Sequence, residues 1–179
     1  MKTNIDFTSG IRKISLSDRV VTTFAGTGFS TTTDGNNASF NEPTGITGPD
    51  NQGNLFICEF MGHTIRRINS TGFASTISGT GFEGYANGAG NVSTFNHPWD
   101  ITLDIVTGNL FVTEWAAAWV RRVTPAGVAS TFATLGCSIA GIAIDKSSNL
   151  YVAERNNHRG TFERFVFKTR ISEHNQNLS

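Results

Sequence analysis

Residues 54–68, NLFICEFMGHTIRRI, return at 109–123 as NLFVTEWAAAWVRRV and start a third time at 149–159 as NLYVAERNNHR. A chain that repeats itself at this scale is assembled from copies of one supersecondary unit, because no single copy can bury its apolar face alone. Glu59, Glu114 and Glu154 close the three apolar runs at spacings of 55 and 40 residues. The unequal period has a local cause. A Gly-rich connector fills residues 79–95 between the first two copies, and only ATLGCS (residues 133–138) precedes the third. The strand-bearing parts stay constant while surface connections absorb the difference.

Each copy reads as short strands bounded by turn residues. Pro43-Thr44-Gly45-Ile46-Thr47 opens the first, with Pro where no ladder donor is needed. Leu55-Phe56-Ile57-Cys58 is apolar on consecutive residues, so both faces of that strand must be covered. Ile65-Arg66-Arg67-Ile68 and Ala74-Ser75-Thr76-Ile77 follow as third and fourth strands, the second pair divided by Gly72. Four antiparallel strands with a doubly covered second strand predict small sheets stacked side by side, the situation of a propeller blade. No stretch keeps a 3.6-residue period, and 19 Gly residues argue against helices.

The same pieces resemble the NHL repeat. Phe40-Asn41-Glu42-Pro43-Thr44-Gly45-Ile46 and Phe95-Asn96-His97-Pro98-Trp99-Asp100-Ile101 match its opening. The runs ending at Glu59, Glu114 and Glu154 match its middle, and Asn156-Asn157-His158-Arg159 matches its Asn-His-Arg. The chain departs from the pattern in carrying Glu where the family has Asp at those three positions, and Asp100 where it has Gly. The resemblance implies an all-β fold, a partial β-propeller of NHL-type four-stranded antiparallel blades, open as an arc in the isolated chain. It also implies a platform that binds protein or RNA, although some relatives are enzymes.

The units expected are 1–28, the second half of a blade with the start of a connector; 40–81 and 95–132, two blades; 138–167, an incomplete blade; and 168–179, a frayed tail. Gly10-Ile11-Arg12-Lys13-Ile14 matches a third strand, so the chain opens in mid-unit. About three blades result, whereas closed propellers have four to eight. The expectation is therefore a piece of a longer propeller, or two copies joined head to tail, since open end faces with free strand edges drive association.

Fourteen basic and 14 acidic residues balance. This removes the simplest argument for a nucleic-acid or anionic-membrane partner and leaves nucleic acid as the less favoured reading beside a protein partner. No stretch approaches the ~18 apolar residues of a membrane helix, and residues 1–15 lack the apolar core of a signal peptide, so a cytoplasmic location is the default. Cys58 and Cys137 read as thiols rather than a bridge.

Two groups of side chains stand out. Arg66 and Arg121 follow Glu59 and Glu114 by seven residues. Two partners repeated at one spacing point to structural pairs across a hairpin rather than a phosphate-gripping stripe. At a rim such a pair contributes only ~0.2–1 kcal/mol, and more when partly buried. His97, Trp99 and Asp100 form the least repeat-like cluster, at the mouth of an inner strand, and are the candidate binding residues, with Trp99 as an anchor. Asp34-Gly35-Asn36-Asn37 reads as a turn. No Ser/His/Asp grouping, phosphate loop or paired-cysteine motif occurs, and the histidines lack convergent zinc spacing. The function predicted is a non-enzymatic interaction module engaging a protein through blade-end loops, with no cofactor or metal. The alternatives are an RNA-binding propeller or part of a propeller hydrolase or lyase.

Overall fold

A strand that is apolar on consecutive positions persists only between two covering layers. The computed structural model, which describes residues 9–135, 138–155 and 166–170, supplies those layers. All regular structure among the described residues is strand: β1 (Ser9–Ile14), β2 (Val21–Gly28), β3 (Pro43–Thr47), β4 (Leu55–Glu59), β5 (Thr64–Ile68), β6 (Ala74–Ser78), β7 (Pro98–Leu103), β8 (Leu110–Glu114), β9 (Trp119–Val123), β10 (Ala129–Thr134), β11 (Ser138–Ile144), β12 (Asn149–Arg155) and β13 (Val166–Arg170). They form four antiparallel sheets in chain order: β1-β2, β3-β4-β5-β6, β7-β8-β9-β10 and β11-β12-β13. β13 reaches Arg170, so the strand enters the stretch expected to be frayed tail. Cys137, His158, Arg159 and His174 lie outside the described residues.

Register repeats from sheet to sheet. Leu55 faces Ile68, Phe56 faces Arg67 and Ile57 faces Arg66; Leu110 faces Val123, Phe111 faces Arg122 and Val112 faces Arg121. Because successive side chains point to opposite faces, β8 offers Leu110 and Val112 to one neighbouring sheet and Phe111 to the other. All three are buried, exposing 2%, 0% and 1%. The core therefore consists of three inter-sheet layers. Phe40, Ile57 and Ile68 pack toward β1-β2, Phe56, Cys58, Leu110 and Val112 fill the next gap, and Phe111, Ile139 and Val152 the third. Cys58 is a buried free thiol.

The first strands of three sheets, β3, β7 and β11, lie side by side, with β7 in contact with both others. Each carries a register shift near its start, at Pro43/Ile46, Pro98/Asp100 and Ile139/Gly141, a bulge that bends the strand where the sheets converge. Gly45 is demanded there, since a Cβ would stand 2.6 Å from the Asp100 Cα.

The connectors fold onto the sheet they lead into. Gly35 exchanges two backbone hydrogen bonds with Ala74 on β6, and Gly88 does the same with Ala129 on β10. Each guards an outermost strand edge that would otherwise be open to another chain.

Candidate functional site

At one end of the sheets the chain passes from each connector into an inner strand and from each second strand into its third. Glu42 and His97, the residues before Pro43 and Pro98, hold positive φ of 53° and 51°, and His63 and Ala118, the last turn residues before β5 and β9, hold 51° and 53°. The left-handed connector residue is clamped in both blades: the Phe60 N–H donates to the Glu42 carbonyl at 2.9 Å, and the Trp115 N–H donates to the His97 carbonyl at 3.0 Å. These repeated clamps deliver side chains from two blades to one surface.

There Phe60, His63, His97, Trp99 and Trp115 make a continuous run of rings. Centroids lie 4.6 Å apart for Phe60–His97, 5.6 Å for Phe60–Trp99, 4.7 Å for His63–His97 and 4.7 Å for Trp99–Trp115. The tilted and edge-on geometries are those that aromatic quadrupoles favour. Every member is half-buried, so the run crosses the seam between two sheets with part of its surface in solvent. Beside it Tyr85, from the connector, packs on Trp119 at 4.8 Å.

Hydrogen bonds fix the imidazoles. Asn96 Nδ2 donates to Glu83 and to the Tyr85 hydroxyl, which turns its Oδ1 toward His97 Nδ1 and leaves that nitrogen as the donor. The His97 backbone N–H donates to His63 Nδ1 at 3.3 Å. Burial and the neighbouring His97 hold the His63 imidazolium pKa below its ordinary 6.5, against opposing pulls from Glu83 and the Phe95 carbonyl.

Asp100 stands apart from the rings. One carboxylate oxygen accepts the Ile101 N–H at 2.9 Å and the other accepts the Ile142 N–H on β11 at 3.0 Å. Its role is to tie two inner strands. Of the three residues singled out from the sequence, His97 and Trp99 meet in the ring run and Asp100 faces the neighbouring sheet. Phe60, His63 and Trp115 were missed, since they occupy turns with no motif of their own.

The Glu59–Arg66 and Glu114–Arg121 pairs lie inside the molecule rather than at a rim, with all four side chains fully buried. Arg66 Nη1 donates to Glu59 at 2.9 Å, and Nη2 donates to the Thr33 carbonyl at 2.7 Å and to Asp34 at 2.9 Å. Arg121 repeats the scheme with Glu114 at 3.3 Å, the Ala86 carbonyl at 3.0 Å and Asn87 at 3.0 Å. Their guanidinium groups sit 5.3 Å and 5.0 Å from the Phe40 and Phe95 ring centres. Burial raises the Glu114 carboxyl above its usual range, and the Asn96 N–H and Arg121 oppose this. The sequence's Asp34 turn is therefore half of a clasp. Its signal was a Gly after Asp34 and after Asn87, each a few residues before a Phe-Asn pair.

Among the described residues, no group of three or more His, Cys, Asp or Glu side chains is placed to hold a metal ion, and no helix is long and apolar enough to cross a membrane.

No protein-family model matches the chain, nor does any curated protein. Solved structures do. A protein of unknown function from Bacteroides thetaiotaomicron aligns at TM-score 0.55 and 30% identity, over 61% of this chain and 28% of that one. Virginiamycin B lyase from Staphylococcus aureus aligns at TM-score 0.55 and 17% identity, over 90% of this chain and 49% of its own. The calcium-binding protein regucalcin from Agrobacterium tumefaciens aligns at 0.56 and 15%, over 86% and 47%. The chain spans about half of the lyase and of regucalcin, and less of the first. The fold is all-β, with propeller-type four-stranded antiparallel blades set in an open array.

Proposed function

We propose that this chain is an NHL-type propeller segment that serves as a binding platform, holding a protein partner on the blade-end surface built from Phe60, His63, His97, Trp99 and Trp115. The NHL assignment is supported by the Phe-Asn-x-Pro openings and by the apolar runs closed with an acidic residue. The observation that carries the binding role is the half-exposed ring run across the blade seam. Partly exposed aromatic groups on a rigid support are the residues that dominate protein interfaces, and here their backbone is locked by two repeated clamps. A protein is favoured over nucleic acid because Arg66 and Arg121 are consumed in buried pairs. Only Arg67 and Arg122 of those doublets remain exposed, on a chain of zero net charge.

Capture of partners from extract on the immobilised native chain, compared with a Trp99→Ala variant of matched circular dichroism, tests the proposal. A protein retained by the native chain should weaken at least ~10-fold on the variant, in keeping with an aromatic anchor. Equal retention by both, or retention of nucleic acid alone, would remove the ring run from the binding surface.

A further inference from the structure

Two sheets each carry one half of the ion pair that the two complete blades carry whole. In β4-β5 and β8-β9 the Glu that closes one strand meets the Arg of the next in a fully buried contact. The β1-β2 sheet has the Arg alone: Gly10-Ile11-Arg12-Lys13-Ile14 on β1 matches Thr64-Ile65-Arg66-Arg67-Ile68 on β5. Among the described strands β1 pairs only with β2, and Arg12 is exposed, bonded to the Thr23 hydroxyl. The β11-β12-β13 sheet repeats the Glu but not the Arg at its matching register position. Glu154 aligns with Glu59 and Glu114 and is half-buried. The place opposite Ile57 belongs to Arg66; the matching place opposite Val152 falls to Phe167 of β13. A groove lined by Ile11, Arg12, Lys13, Phe24, Ile46 and Leu55 runs beside β1. Ile14 and Val21 of the same sheet, and Val20 in the turn between its strands, are exposed by 50% or more.

We propose that two copies of this chain associate head to tail, β1 of each lying along β12 of the other in place of β13, with Arg12 and Glu154 forming the buried pair that Arg66 and Glu59 form within one chain. The register follows from the complete blades: Arg12 opposite Val152, Ile11 opposite Ala153, Lys13 opposite Tyr151 and Ile14 opposite Leu150. β2 then supplies a fourth strand, so β11, β12, β1 and β2 make a composite blade. The exchange gives up the β12–β13 ladder for an equivalent one, and it adds the ion pair and cover for the groove. Both junctions are the same, as two-fold symmetry requires.

The experiment is the mass of the full chain by light scattering across micromolar concentrations, with Arg12→Glu, Glu154→Arg and the combined variant. Twice the 19.3 kDa of one chain is expected. Each single reversal should raise the dissociation constant ~100–1,000-fold, the effect of breaking a buried pair, and the combined variant should recover to within ~10-fold. If the single variants fold poorly, Lys13→Cys combined with Tyr151→Cys should give a disulfide-linked dimer on oxidation. A native chain that stays monomeric at about ten micromolar overturns the proposal. So does a combined variant no better than the singles, or a crosslinked product that runs as one chain. None of these readouts depends on the ring surface or on its partner.

Discussion

Phe111 shows what a single position carries in this architecture. Its ring leaves β8 on the face opposite Leu110 and Val112 and packs edge-on against Phe132 at 4.9 Å, with 1% of its surface exposed. Truncation deletes the contact and leaves a void that close-packed sheets relax into only partly. Phe111→Ala is expected to cost ~3–5 kcal/mol, measured as a shift in the urea midpoint at unchanged slope. A cost under ~1 kcal/mol would mean that β8 is covered on one face only. That burial was legible in the sequence, because apolar residues on consecutive strand positions have no other stable placement. The Glu–Arg pairs were legible from a spacing of seven that occurs twice. Their depth was not. Arg66 and Arg121 are tolerable inside because carbonyls at Thr33, Ser39, Ala86 and Thr94 accept from their Nη groups, while neither buried Nε has a hydrogen-bond partner among the described residues; those acceptors lie in connectors whose sequences barely match.

Among the elements, the turn from first to second strand repeats more faithfully in bonding than in letters. Asp50 accepts the N–H groups of Gln52 and Asn54 and the Asn54 side-chain amide. Asp145 accepts those of Ser147 and Asn149, the Asn149 side-chain amide and the Tyr151 hydroxyl. Asp104 holds the longer middle turn through Val106 and Thr107. The bonds to Asn149 lead those that lower the Asp145 carboxyl to about 2 from 3.8. A carboxyl more acidic in the folded chain than in the unfolded one stabilises fully above the unfolded value, and loses that contribution as pH falls through the folded one. The difference in urea midpoint between the native chain and Asp145→Ala is thus expected to be full above pH 3.8 and to vanish toward pH 2. A difference that persists at the acid end would assign the turn's effect to packing. The ring run was only half legible for a related reason. His97 and Trp99 stand out against the repeat, whereas Phe60 and His63 join them from another blade, and one blade's sequence says nothing about which side chains its neighbour presents.

For the molecule as a whole, cohesion depends on a few ties between inner strands. Asp100 is one, joining β7 to β11 through the Ile142 N–H, and the Thr44 hydroxyl, which donates to the Pro98 carbonyl at 3.3 Å, is another. Asp100→Ala would orphan the Ile142 N–H at a cost of ~1–3 kcal/mol. In a stacked array, losing a neighbour contact also uncouples the unit beyond it. Amide exchange on β11 and β12 is therefore expected to speed up in this variant while exchange on β4 and β5 holds. Uniform acceleration along the chain would mean that the tie acts on global stability alone. Stacking of this kind is what the repeat length announced, and the tie itself required knowing which inner strands touch. The connectors add a different consequence. Each of the two long connectors folds over the sheet that follows it, guarding that sheet's outer strand and clasping its buried Arg. The self-sufficient piece of this chain is therefore a connector with the sheet after it, as in residues 79–134, rather than a sheet alone. A duplication cut at those borders inserts a blade already equipped with its own edge guard and charge clasp, whereas one cut between strands separates both from the sheet they serve. Arrays of this type can lengthen by inheritance of whole, finished units, and the borders at which they lengthen without injury lie just after an outermost strand.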